Sequence, residues 1–143
     1  MAVLLGIDFG TKRTGIAHTD PLQLIASGLT TLPTKEVIPF LMDYVRDHAV
    51  EKCVVGLPKQ RDNSPSEVEP HIQQFIQALQ KALPQLVIDR YDERFTSKMA
   101  THTLLMSGAK KQQRKNKALV DKISATLLLQ AYLDASLQSN KRT

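Results

Sequence analysis

Val3, Leu5, Ile7 and Phe9 alternate with Leu4, Gly6 and Asp8 near the start of the chain, and this short apolar run, closed by Gly10, predicts a buried strand with Asp8 at its end. Gly10-Thr11-Lys12-Arg13 predicts a tight connection into a second strand over Thr14 to Thr19. Asp20-Pro21 then marks a turn into a third extended segment from Leu22 to Leu32. From Thr34, read as an N-cap, Val37, Phe40, Leu41, Tyr44, Val45 and His48 recur at helical spacing. Lys52 to Leu57, with Cys53, Val54 and Val55 at its centre, has the length of a buried strand; it stops at Gly56-Leu57-Pro58, because proline cannot donate to a central ladder.

Ser64-Pro65-Ser66-Glu67 combines capping-box spacing with a proline at the first helical position, and Val68, Ile72, Phe75, Ile76, Leu79 and Leu83 line one face of a helix that Pro84 ends. Leu86, Val87 and Ile88 open the last strand, which runs out at Asp92-Glu93-Arg94. Thr96 or Ser97 then caps a short helix ending near Gly108. The final helix begins around Lys117, places Leu119, Ile123, Leu127, Leu128, Ala131 and Tyr132 at core spacing, and frays by Ser139. The order β-β-β-α-β-α-β-α-α predicts an α/β fold. Its mixed five-stranded sheet starts with three antiparallel strands, continues through helical crossovers and is flanked by helices.

Composition narrows the setting. A chain of 143 residues, 42% hydrophobic and 23% charged, fits one packed domain over residues 1–143 and argues against disorder. Cys53 is the only cysteine, which excludes an internal disulfide and a multi-cysteine metal cluster and fits a reducing cytoplasm; it lies in an apolar strand and reads as an inert core residue. No apolar run approaches the ~20 residues of a membrane span, and the N-terminal run meets Asp8 too early for a signal-peptide core. The formal net charge of +5 favours a polyanionic partner, and it is localised: Lys110, Lys111, Arg114, Lys115 and Lys117 form an acid-free run before the last helix. The 19 basic residues less these five equal the 14 acidic ones.

Candidate chemistry sits in three carboxylates: Asp8 at the end of the first strand, Glu93 at the end of the last, and Asp121 in the first turn of the final helix. In α/β sheets, chemistry gathers at strand ends and helix starts. Three converging acids repel unless a cation intervenes, and Mg²⁺ or Mn²⁺ fits an oxygen donor set better than zinc, since His18, His48, His71 and His102 show no paired ligand spacing. Asp92 is an equally reachable alternative to Glu93. Thr11, Lys12 and Arg13 follow Asp8 directly and offer a phosphate contact beside the ions. Lys59, Arg61 and Arg94 end neighbouring strands, and the basic run 110–117 leads into the helix carrying Asp121.

Four blocks, Gly6-Ile7-Asp8-Phe9-Gly10-Thr11-Lys12-Arg13-Thr14-Gly15-Ile16-Ala17, Val55-Gly56-Leu57-Pro58, Asp92-Glu93-Arg94-Phe95-Thr96-Ser97 and Val120-Asp121-Lys122-Ile123-Ser124-Ala125, resemble in order and spacing the YqgF (RuvX) family over essentially the whole chain. The resemblance implies a ribonuclease H-like nuclease, which the element order also suits, with Asp8 as principal metal ligand and Glu93 and Asp121 completing the site. It implies either 5′-end maturation of pre-16S ribosomal RNA or Holliday junction resolution. Two departures stand out. The loop after Pro58 reads Lys59-Gln60-Arg61-Asp62-Asn63-Ser64 where the family usually has a glycine. RuvC-type resolvases carry two acids one turn apart on the last helix, whereas Ser124 follows Asp121 by three here.

The expected function is therefore a metal-dependent nuclease acting on structured nucleic acid, ribosomal RNA precursor before branched DNA, with association to a ribosomal particle and a monomer or weak dimer both open. Two other classes compete. Asp8-Phe9-Gly10-Thr11 also resembles the phosphate loop of actin-like ATPases and sugar kinases, but those bind nucleotide between two related domains and this chain has the length of one. A non-catalytic RNA-binding assembly factor remains the third.

Overall fold

A computed structural model describes residues 2–58, 67–92 and 117–141. The first strand, β1 (Val3–Asp8), turns at residues 9–12 into β2 (Arg13–Thr19), and β3 (Ala26–Pro33) follows. A 3₁₀ turn (Thr34–Glu36) leads into α1 (Val37–Asp47), then β4 (Val50–Leu57), α2 (Glu69–Ala82), β5 (Val87–Asp92) and α3 (Lys117–Lys141). The strands form one mixed sheet in the order β3-β2-β1-β4-β5. β1 and β2, and β2 and β3, pair antiparallel; β1 and β4, and β4 and β5, pair parallel. The predicted class, strand number and mix of pairings are those observed. The predicted helix from residues 96–97 to 108 lies outside the described residues.

Strand alternation sorts the apolar residues onto two faces. Leu5, Ile7, Ile16, Cys53 and Val55 pack with Val37 and Leu41 of α1 and Ile72, Phe75, Ile76 and Leu79 of α2. Leu4, Ala17, Ala26 and Val54 pack on the other face with Ala125, Leu129 and Leu133 of α3. No helix among the described residues is long and apolar enough to cross a membrane.

Several local expectations are corrected, two of them by competing hydrogen bonds. The third strand starts at Ala26 instead of Leu22, because the Asp20 carboxylate accepts the N–H groups of Leu22 (3.1 Å), Leu24 (3.0 Å) and Ile25 (2.8 Å) and holds residues 20–25 as a turn. These bonds hold the Asp20 carboxyl below its usual range, that from Ile25 most strongly. Thr34 does not cap α1; its hydroxyl bonds the Gly10 carbonyl and Thr14, and α1 starts without a side-chain cap. α2 is described from Glu69, with Pro70 in its first turn; the start expected at Ser64-Pro65 lies outside the described residues. β4 starts at Val50, and α3 runs on to Lys141, past Ser139. The buried stripe of α3 is Ser124, Ala125, Leu128, Leu129 and Leu133, whereas Ile123, Leu127 and Ala131 are only half-buried.

Candidate active site

β1, β4 and β5 run parallel, so Asp8, Leu57 and Asp92, the last residues of the three strands, share one edge of the sheet. Asp8 is half-buried and lies opposite Gly15 of β2. Alternation puts it with Leu4 and Gly6 on the α3 face. The register Ile7↔Val55↔Arg90 and Leu57↔Asp92 places Asp92 on the opposite face, with α1 and α2. Asp92 and Asp8 thus point to different sides of the sheet.

The turn after Asp8 is pinned from within. The Gly10 N–H donates to Thr14 Oγ1 (3.4 Å), Thr14 and Thr34 hydroxyls stand 2.9 Å apart, and Thr34 donates to the Gly10 carbonyl. The Thr34 N–H adds a bond to the Lys12 carbonyl at 3.0 Å. Thr14 is fully buried and Thr34 and Gly10 partly so, so the cluster holds the turn from its inner side. A Cβ on Gly10 would stand 2.2 Å from the Arg13 carbonyl oxygen, so only glycine fits. Thr11 and Lys12 are left exposed and Arg13 half-buried.

Asp121 reaches this edge through the packing of α3. At Gly6 the missing side chain lets α3 approach until a Cβ there would stand 2.9 Å from Leu129 Cβ and 3.2 Å from the Ala125 carbonyl. Further along the helix, Tyr132 donates to Asp89 Oδ2 at 2.6 Å and accepts from Lys52 Nζ at 3.0 Å. Lys52 pairs with Leu4, so α3 runs antiparallel to β1 and its N-terminal end heads towards Asp8. From Ala125 back to Asp121 is one turn, about 6 Å, and from Gly6 on to Asp8 about 7 Å. The two backbone positions therefore advance to the same edge.

Of the other predicted site residues, Lys117 is the first residue of α3. Glu93, Lys59, Arg61, Arg94, Lys110, Lys111, Arg114 and Lys115 lie outside the described residues. Among the described residues no three side chains of metal-ligating type cluster together. Cys53 is fully buried, and burial pushes its thiol up to about 12, as an inert core residue requires. Charge spacing along the chain gives no sign of Arg90 and Glu69, which form a shielded ion pair at 2.8 Å near the same edge. The contact of α2 with β5 brings them together.

The family model described as "RuvX: Holliday junction resolvase" matches residues 2–135, a span that includes Asp8, Glu93 and Asp121. The chain belongs to the RuvX family. Relatives from Christiangramia forsetii (53% identical, covering 93% of this chain and 98% of the relative) and Bacteroides fragilis (50%, 94% and 97%) are each named "Putative pre-16S rRNA nuclease". Among solved structures, Thermus thermophilus RuvC matches with a TM-score of 0.56 at 15% identity, covering 95% of this chain and 96% of that one. The same protein in complex with a Holliday junction substrate matches with a TM-score of 0.55 at 18% identity, covering 96% of both chains. These likenesses show the ribonuclease H-like fold.

Proposed function

We propose that this RuvX-family chain, taken as one nuclease domain over residues 1–143, hydrolyses phosphodiester bonds in structured RNA and matures the 5′ end of pre-16S ribosomal RNA in the cytoplasm. The observation that carries this reading is that β1 and β5 end, at Asp8 and Asp92, on one sheet edge towards which the N-terminal end of α3 runs. The donor set is all carboxylate, which suits a hard divalent cation; Asp8, Glu93 and Asp121 would hold Mg²⁺ or Mn²⁺. When bound, such an ion supplies Lewis-acid stabilisation of the phosphate and a more acidic water. The chain's own part is to receive the phosphate. The pinned 9–13 turn presents Thr11, Lys12 and Arg13 to it, and Lys59, Arg94 and the basic run 110–117 hold flanking backbone.

The family description favours a second reading, resolution of four-way DNA junctions. Against it, Ser124 is 4% exposed and takes the place of a second acid on α3. A side-by-side assay of pre-16S 5′-leader RNA, four-way DNA junction and linear DNA, with wild type and Asp8→Asn, tests both. The expected outcome is cleavage of the leader RNA that falls at least about a hundredfold in Asp8→Asn, the scale on which loss of one preorganised electrostatic group is felt. Cleavage that survives in purified Asp8→Asn refutes the site, and preference for the junction decides for the second reading.

A further inference from the structure

Arg90 lies two residues inside the end of β5 and turns its guanidinium towards β4 and α2. Its Nε donates to the Val55 carbonyl at 3.3 Å and its Nη2 to the Gly56 carbonyl at 2.9 Å. Nη1 and Nη2 also meet the two carboxylate oxygens of Glu69 at 3.1 and 2.8 Å, a bidentate fork. The two side chains are only 22% and 14% exposed, and Gln73 Nε2 adds a bond to Glu69 at 2.8 Å. Glu69 stands in the first turn of α2, where the helix dipole also favours a carboxylate. The Arg90 guanidinium holds this carboxyl below its usual range.

The attachment points have a common relation to the site. Val55 and Gly56 lie just before the end of β4, and Val55 pairs with Ile7, the neighbour of Asp8. Arg90 is itself two residues from Asp92, where β5 ends. An exposed ion pair would contribute little here. A shielded fork that joins β4, β5 and α2 resists displacement of one strand end against another. Arg90 stands on the face opposite Asp8, so it acts through the backbone of the strand ends.

We propose that Arg90, clasped by Glu69, is a positioning residue for the nuclease site: it holds the C-terminal ends of β4 and β5 in place relative to Asp8. The inference rests on the nuclease reading above. Its test uses Arg90→Lys, which keeps a charge but loses the fork, and Glu69→Gln, which keeps the carbonyl bonds but weakens the fork. In each, kcat on the leader RNA is expected to fall about 10- to 100-fold, the usual effect of losing a group that supports a ligand. KM should stay within about twofold. Mn²⁺ affinity, measured by calorimetry, should fall with kcat, and hydrogen exchange at Leu57 and Asp92 should rise while the β1–β2 pairing stays protected.

Variants that fold as wild type and keep its kcat and Mn²⁺ affinity overturn the proposal, as does a fall in kcat that only follows the unfolded fraction. If Arg90→Lys does not fold, Glu69→Gln carries the test on the same terms. A wild type that cleaves none of the three substrates overturns the nuclease reading instead. Mn²⁺ titration and hydrogen exchange then decide the clasp by themselves.

Discussion

Gly6 shows how a single residue links packing to chemistry. In the middle of an apolar strand a glycine weakens pairing and packs nothing of its own, yet here its bare Cα is what α3 rests on. A methyl at this point meets a Cβ and a backbone carbonyl, neither of which can swing aside, so α3 itself must shift. Gly6→Ala is expected to cost about 1–3 kcal/mol by overpacking and to lower cleavage beyond that loss, because Asp121 travels with the helix. A urea titration should show a lower midpoint at unchanged slope; an unchanged midpoint would show that α3 lies further from β1 than the packing requires. Single residues are also where local pattern misleads. Thr34 has the right type and place for a cap, but a hydroxyl chooses among acceptors, and the Gly10 carbonyl, brought close by the β2–β3 pairing, wins. Asp20 similarly prefers three backbone N–H groups to a strand continuing through Leu22.

At the scale of elements, the type and order of the described helices and strands were legible because hydrophobic period and proline stops are local properties, whereas several of their ends were not. Nor was the face of α3. Its apolar residues wrap widely, so two stripes compete, one through Ile123 and Leu127 and one through Ala125 and Leu129. The sheet decides, since Gly6 leaves room for the Ala125 backbone and Leu129 to come down on β1. Tyr132, about two turns further on from Ala125, then ties the helix to the sheet through Asp89 and Lys52. Tyr132→Phe leaves both partners without the hydroxyl and is expected to cost about 1–2 kcal/mol. Burial foremost raises the Tyr132 hydroxyl and the Tyr132 bond foremost raises Lys52, so each favours its protonated form in the fold. That contribution is fully present below pH 10.0 and is lost as pH climbs through the raised values. Chemical denaturation at several alkaline pH values should show the steeper loss in wild type; parallel curves for wild type and Tyr132→Phe would refute the coupling.

At the scale of the whole molecule, the places of Asp8 and Asp121 along their elements were legible and the sheet edge towards which both backbones run was not. Asp8 and Asp121 stand at a strand end and a helix start, positions visible along the chain. That both run towards one edge depends on β1 pairing parallel to β4 and on α3 crossing back over β1, which join residues far apart in sequence. A different non-local contact, α2 against the ends of β4 and β5, brings Arg90 to Glu69, which lie 21 residues apart with no spacing to betray them. The strand pairing also removes Asp92 from the Asp8 face, an alternative that spacing alone left open.

Charge is distributed on this scale too. The whole formal excess of +5 lies between Lys110 and Lys117, and Lys117 opens the helix whose N-terminal end heads for Asp8. A cation run that leads along the chain into α3 should bind backbone phosphate without regard to base, releasing counterions as it does so. Replacing Lys110, Lys111, Arg114, Lys115 and Lys117 by glutamine should therefore weaken binding equally for unrelated RNA sequences. Each phosphate neutralised on single-stranded RNA adds about 0.7 to the slope of log affinity against log salt, so removing all five cations should flatten it by about 3 to 4. Binding titrations at several salt concentrations read this directly, with Asp8→Asn as the background so that no substrate is consumed. An unchanged slope would mean that these cations are merely solvated; weakening confined to one sequence would mean that they read bases, which a run of lysines and one arginine is poorly built to do.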